Sequence, residues 1–483
     1  MTNPTRQTWL VIAVLVAAQL RFVWLDDRLP RDLSFTWRLL ESFLVVLQEG
    51  RWDQLPRLLS ETAGWLNLAT AGLFQLTGPD PKVFRALDAC WLAMIAVGSA
   101  SAARTVGGPR AGLATVLLLG GLPLVVVLAR LTWVHVPETA LLVTALAALL
   151  RDPSLAHRRT WVLGVGAAGL ALALRPSAGV WVLALAPLVR GAPWRRLLVA
   201  GTVLGICALP ALGELGPYLS GKLAIRSAYA ARVAPLHQQL LALVGPWAGL
   251  PALAGAALWI RTRPDWRTAM ALGAWTVGPF AAWAVFRTGL ENFVVLAPAL
   301  AIAGGLGLAT GRRGLVAAAL GFALLTGVQV VPSGLAEPVW GRLPGVTPGW
   351  YRESLGDQFR PWTGYGAREL PRLLDAVCPT QEPGRCLVAV EQGLLHPDAE
   401  DPGRLGLLLL DEARVDLRPV DETSPPLPGA AAVVRFDCLD RPPDFQVSLP
   451  GLAPVWSRDV GQGCTVHWLV PGGEPLRPEA LPP

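Results

Sequence analysis

Several ionisable residues in this chain interrupt otherwise apolar sequence, and their types are those of acid–base and phosphate chemistry. Asp26, Asp27 and Asp32 follow the first apolar run, three carboxylates in seven positions. A carboxylate partly desolvated beside lipid has its pKa raised toward the range a general base needs. Asp32 is the strongest candidate because it opens an amphipathic helix, where the helix dipole also favours it; its competing role is a helix cap. The stretch LARLTWVHVPETALL carries Arg130, His135 and Glu138. Ionisable residues at membrane depth are costly and point to function, although Pro137 with Glu138 is also an ordinary helix start. Arg175 stands alone in GLALALRPSAGVWVLAL, and Arg287 is followed by Glu291 and Asn292. A guanidinium matches phosphate oxygens with two parallel hydrogen bonds. Lys222, Arg226 and Arg232, near Tyr218 and Tyr229, add further positive charge. Each of these cations could instead snorkel to lipid headgroups.

The elements that must position these residues are membrane spans. The chain has 483 residues, 53% of them hydrophobic, with mean hydropathy +0.45, too apolar for an ordinary soluble enzyme. Between residues 8 and 332 about eleven apolar segments appear, most near the 17–25 residues that a crossing needs. The loops Arg104–Arg110, Arg151–Arg159, Arg190–Arg196, Arg261–Arg267 and Arg312–Arg313 hold 2, 3, 3, 3 and 2 arginines. With Arg6 they total fourteen, whereas the alternate loops carry mostly single arginines: Arg130, Arg175 and Arg287. Basic residues near span ends stay cytoplasmic. The alternation therefore predicts an inside N-terminus, an outside first loop over about 26–85, and an outside tail from 333. The first segment does not read as a cleavable signal, because Arg21 interrupts its end and more spans follow. The same arginines account for the net charge of +6 as lipid-facing charge, and no clustered basic face suggests nucleic acid. Lysine is nearly absent (Lys82 and Lys222), a usage typical of a GC-rich bacterial genome.

The first outer loop predicts two helices lying on the membrane surface. Phe35, Leu39, Leu40, Phe43 and Val46 recur at helical spacing, and Glu61 to Leu76 repeats the pattern with Trp65, Leu68, Leu73 and Phe74. A loop of this length covers or builds a site rather than merely connecting. The tail divides the chain into a membrane domain, 1–332, and an extracytoplasmic α/β domain, 333–483. Its β-like runs are CLVAV (386–390), VDLRPV (415–420), AAVVRF (431–436), APVWSRDV (453–460) and CTVHWLV (464–470), with LGLLLLDEA as a helix. Trp340, Trp350, Tyr351, Trp362 and Tyr365 lead into it, and such residues favour the interface.

Cysteine placement agrees with that topology. Cys90 and Cys207 lie in apolar segments as small buried side chains, and Cys378, Cys386, Cys438 and Cys464 all fall in the tail. Four cysteines outside the cytoplasm imply two disulfides with three connectivities. Cys378–Cys386 and Cys438–Cys464 close the shortest loops. Zinc is the alternative, but no C-x-x-C spacing supports it.

These features together resemble the GT-C type of polytopic membrane glycosyltransferase, near the protein mannosyltransferase and aminoarabinose transferase group. The likeness covers about residues 8–310. Asp32 matches the acid after the first span, Arg130 the arginine of the third span, and Glu138 stands where the family has a second acid, usually Asp. GLALALRPS (169–177) resembles the family's lysine stretch, with Arg175 in place of lysine. RTGLENFVVLAPALAIAGGLGL (287–308) resembles the late span, with Phe293 near the family's tyrosine. The His/Tyr-Pro-Pro-Leu element of the first loop is represented by TAGWLNL (62–68), without prolines.

The resemblance implies transfer of one sugar, with inversion, from a polyprenyl-phosphate donor to a lipid, glycan or protein acceptor at the outer face of a bacterial plasma membrane. Asp32 and Glu138 are then the catalytic acids, and Arg130, Arg175 and Arg287 the donor-phosphate ligands. Asp26, Asp27, His135, Glu291 and Asn292 are further candidates. No Asp-x-Asp signature lies in the outer loops, which leaves a divalent metal as an option rather than a requirement. A transporter or flippase for a lipid-linked substrate is the alternative, but paired halves are not seen. A non-catalytic envelope-assembly protein is another.

Overall fold

In a computed structural model the described residues are 3–25, 33–60, 63–77, 81–122, 125, 134–175, 177–224, 236–286, 293–309, 311–330, 386–391, 415–420, 431–438, 452–461 and 464–471. The chain divides into two compact units. One comprises Met1–Trp24 and Leu39–Leu355, the other Leu25–Arg38 and Gly356–Pro483.

The first unit is helical. Its elements are α1 (Pro4–Leu25), α2 (Leu33–Glu49, shared with the second unit), α3 (Leu55–Ser60), α4 (Gly64–Thr77) and α5 (Pro81–Gly121). Then follow α6 (His135–Arg151), α7 (Arg158–Leu174), α8 (Ala178–Leu185), α9 (Trp194–Ala224), α10 (Leu236–Arg261), α11 (Trp266–Phe286), α12 (Leu296–Leu308) and α13 (Arg312–Val330). These helices are apolar on their outer faces as well as in their core. Leu198 on α9, Leu250 on α10, Val277 on α11 and Leu320 on α13 are each more than 60% exposed, while Gln19, Ser99 and Thr115 are buried. Apolar surface on this scale is unfavourable in water and is the surface a polytopic membrane protein offers to lipid.

α5 is two arms rather than one rod. Gly108 has φ 80° and ψ −175°, and Pro109 follows it; the left-handed φ needs glycine, and proline restarts the helix. A Cβ at Gly112 would lie 3.0 Å from the Ala100 carbonyl oxygen, so the arms fold back on each other. This is the reversal expected at the Arg104–Arg110 loop. Among the described residues Ala86–Gly121 is the one stretch long and apolar enough to cross a membrane by itself. Some expected spans are shorter in the structure. The run 291–310 yields α12 of 13 residues, about 20 Å at 1.5 Å per residue, because Phe293–Val295 form a buried turn before it.

Glycine sets the packing around α12. A Cβ at Gly304 would meet the Ala252 carbonyl oxygen at 2.7 Å, and a Cβ at Gly307 would overlap the Gly255 carbonyl. On its other side, a Cβ at Gly305 would meet the backbone nitrogen of Thr115 at 2.7 Å. α12 therefore lies backbone to backbone between α10 and the second arm of α5, the close approach that small residues permit in membranes.

Helices form over the two amphipathic stretches expected between 26 and 85. α2 buries Leu40, Phe43 and Val46 completely. In α4, Asn67, Thr70, Ala71 and Phe74 make the buried face, while Trp65, Leu68 and Leu73 are half-buried. The small residues turn inward because a close approach, not apolarity, orients the helix: Gly64 sits against the backbone of Leu58 and Leu59. Cys90 is exposed rather than buried, and Cys207 half-buried. Cys90 faces outward on a helix whose surround is apolar, where burial in protein is not needed.

The second unit holds a five-stranded mixed sheet of order β2-β1-β3-β5-β4. Its strands are β1 (Cys386–Glu391), β2 (Val415–Val420), β3 (Ala432–Cys438), β4 (Leu452–Gly461) and β5 (Cys464–Pro471). They coincide with the five runs read from sequence. β1 pairs in parallel with β2 and β3, and β5 runs antiparallel between β3 and β4. The expected helix between β1 and β2 lies outside the described residues. Cys386 is disulfide-bonded; Cys378, its expected partner, also lies outside them. Cys438 and Cys464 are cross-strand partners at one end of the β3–β5 ladder. Antiparallel partners have Cα atoms about 4.5–5.5 Å apart, within the range a disulfide bridges.

Asp152 holds the turn from α6 to α7. It is 5% exposed and accepts hydrogen bonds from the Ala156 (2.9 Å) and His157 (2.6 Å) backbone N–H groups and from the Ser154 and Thr160 hydroxyls, each at 3.0 Å. Burial alone raises its pKa, but these donors outweigh it and hold the carboxyl well below its ordinary value. Its contribution to stability is therefore fully present above the ordinary carboxylate pKa of about 3.9 and is lost as pH falls through the depressed folded value. Asp152→Ala should cost about 1–2 kcal/mol at pH 7, as for a lost helix cap. The gap from wild type, read from thermal unfolding in detergent, should close only in acid below the ordinary range. An equal gap at every pH contradicts this role.

Candidate functional site

The site lies where α6 begins and α7 ends. His135 and Glu138 are one turn apart on α6, so their side chains share a face, and both are buried, at 7% and 4% exposure. α7 ends with Leu174. Arg175 breaks it with an extended backbone (φ −155°, ψ 141°) while its N–H still bonds the Ala171 carbonyl. Pro176 explains the extension, because the residue before proline disfavours helical angles. The Arg175 side chain is 6% exposed and turns toward α6.

There it meets both α6 residues. Arg175 Nη1 donates to Glu138 Oε2 at 3.2 Å and lies against both ring nitrogens of His135, 3.1 Å from Nε2. Glu138 Oε2 is 3.6 Å from His135 Nδ1, and the Ser177 hydroxyl reaches Glu138 Oε1 at 3.5 Å. A guanidinium only donates, so the imidazole nitrogen facing it accepts. Thr139 returns its hydroxyl to the His135 carbonyl at 2.7 Å, which fixes the first turn of α6. The result is a compensated buried pair with a histidine beside it. Glu138 uses one arm of the five-donor guanidinium fork, and an oxyanion can be held by such a fork.

The start of α4 and the residue before it close on this end of α7. The Ala63 N–H donates to the Leu174 carbonyl at 3.0 Å, and Trp65 Nε1 donates to the Leu170 carbonyl at 3.2 Å. The Leu174 carbonyl is the last of α7 and has no helical partner of its own, while the Leu170 carbonyl lies one turn earlier. Ala63 adopts a left-handed φ of 62° to make its bond. Ala63 and Trp65 therefore dock on the Leu170–Leu174 turn of α7.

Of the sequence-predicted residues, the structure brings together His135, Glu138 and Arg175. Asp26, Asp27, Asp32, Arg130, Arg287, Glu291 and Asn292 lie outside the described residues. Ser177 was missed as a site residue although it ends the GLALALRPS run. Asp88, 2% exposed on the first arm of α5, is a further buried carboxylate, visible in sequence as the lone acid of the apolar run LDACWLAM. Among the described residues no group of three His, Cys, Asp or Glu is placed to hold a metal ion.

No protein-family model matches the sequence, and no curated protein does. Solved structures do match. The crystal structure of ArnT from Cupriavidus metallidurans bound to undecaprenyl phosphate aligns over 96% of this chain and 98% of that one, with TM-score 0.59 and 19% identity. Its apo form aligns over 95% and 97%, with TM-score 0.56 and 18% identity. Along nearly its whole length the chain thus has the fold of ArnT, an aminoarabinose transferase of the GT-C group that its sequence resembles.

Proposed function

We propose that this protein is a membrane glycosyltransferase that moves one sugar, with inversion, from a polyprenyl-phosphate donor to an acceptor at the outer face of the plasma membrane. The observation that carries the reading is the buried Arg175–Glu138–His135 cluster within an ArnT-like fold. In this reading about eleven helices cross the bilayer, with the N-terminus inside and the tail outside, as the arginine alternation requires.

Asp32 takes the proton from the acceptor hydroxyl, and the oxygen attacks the anomeric carbon from the face opposite the phosphate. The C–O bond to the phosphate breaks, and its electron pair leaves on the phosphate oxygen. Charge grows there, so preorganised donors stabilise the transition state more than the ground state. Arg175 supplies such donors, with Arg287 as a second cation. Glu138 holds Arg175 rather than acting as the base, because a carboxylate committed to a guanidinium is a poor proton acceptor. Arg130 orients the same site. The tail recognises the acceptor.

Two outcomes test this. Asp32→Asn should abolish sugar transfer from a labelled polyprenyl-phosphate donor without lowering expression; wild-type turnover in that variant overturns the assignment. Arg175→Gln leaves Glu138 buried alone and should cost about 3–5 kcal/mol of stability, which the double variant Glu138→Gln/Arg175→Gln largely restores. Transfer should remain lost in both. A double variant that regains turnover removes Arg175 from the donor site.

A further inference from the structure

At the end of the helices opposite Arg175, two loops are locked into one basic platform. The loop after α6 contributes Arg151, Arg158 and Arg159, and the loop before α9 contributes Arg190, Arg195 and Arg196, all exposed. The loops are joined by main chain: the Arg190 N–H donates to the Pro153 carbonyl at 2.8 Å, and the Arg196 guanidinium donates to the Leu155 carbonyl. The platform's one carboxylate, Asp152, is buried and hydrogen-bonded to Ser154, Ala156, His157 and Thr160 rather than to an arginine, and it offsets only one of six positive charges.

Directly beneath the platform the surface becomes apolar. Trp194, the first residue of α9, is 68% exposed, and Arg195 lies over its ring at 5.7 Å. The first turns of α7 and α9 then present Val162 (50%), Leu163 (55%), Leu197 (46%) and Leu198 (61%) to the exterior. These two helices are neighbours, since a Cβ at Gly169 would lie 2.9 Å from Cys207 Sγ. A cationic head above an apolar wall, with an indole at the boundary, has the profile of a phospholipid: phosphate, interface, acyl chain.

We propose that the 151–159 and 190–196 loops, with the first turns of α7 and α9, bind an anionic phospholipid of the cytoplasmic leaflet. This rests on the membrane topology proposed above, but not on the transfer reaction. The phosphodiester sits among Arg158, Arg159 and Arg195, and the acyl chains lie along Leu163 and Leu198. A zwitterionic lipid has no net charge to match six arginines, and a free phosphate gains nothing from the apolar wall.

The test uses the full-length protein in detergent, without any sugar donor. Retention of phosphatidylglycerol, phosphatidylcholine or inorganic phosphate is measured by native mass spectrometry, alongside the thermal midpoint. Phosphatidylglycerol should be retained and should raise the midpoint. Arg159→Gln/Arg195→Gln should weaken retention about 30-fold, on the basis of about 1 kcal/mol per basic residue at an anionic surface. Trp194→Ala, which leaves the charges in place, should also weaken it. Equal retention of phosphatidylcholine, an undiminished signal in both variants, or an equal midpoint rise with inorganic phosphate overturns the proposal. Asp32→Asn should retain the lipid fully, which separates this site's failure from failure of the transferase reading.

Discussion

The structure around the site depends on one buried ion pair. Arg175 and Glu138 are both almost fully removed from solvent, where an isolated charge is costly enough to be excluded. Neither residue is tolerable without the other, so α6 and α7 have to bring their ends together in one register. His135 and Ser177 complete the shell, and the docking of Ala63 and Trp65 on the last turn of α7 fixes the residue that follows it. A cation compensated in this way is fixed in place by its partners. That is the condition under which an electrostatic site acts without reorganising.

The rest of the membrane unit is the scaffold for that register. α12 lies between α10 and the second arm of α5 through Gly304, Gly305 and Gly307, with no side chain separating the backbones. In a bilayer, where apolar burial drives little between helices, such contact supplies much of the attraction. At the other end of α6 and α7, Asp152 closes their connection with main-chain hydrogen bonds. One carboxylate thus fixes each end of the α6–α7 pair: Glu138 through a guanidinium, Asp152 through backbone amides.

Much of this was legible in the sequence, for identifiable reasons. Five short β-branched runs predicted five strands, because the period-2 pattern is local. Glu138, His135 and Arg175 were recognisable because charge is rare in apolar sequence and each such residue needs an explanation. What sequence could not supply was pairing. Arg175 and Glu138 are 37 residues apart, and nothing in spacing says that one carboxylate holds the other residue's guanidinium. In α4 the apolar pattern Trp65, Leu68, Leu73 and Phe74 marks an amphipathic helix, but it does not reveal that Asn67, Thr70 and Ala71 make the protein-facing side. Apolarity is a weak guide where both lipid and protein are apolar, and small size then decides which face packs. The shortness of α12 also escaped the hydropathy pattern, which does not distinguish a buried turn from a further turn of helix.

The central claim is that Arg175, held by Glu138, receives the phosphate of a lipid-linked donor. A structure of the full chain with a polyprenyl phosphate bound tests it most directly. The account predicts a phosphate oxygen within hydrogen-bond distance of the Arg175 guanidinium, with Glu138 still on its other side. A phosphate seated elsewhere, with the Arg175–Glu138 pair closed and out of reach, would contradict it.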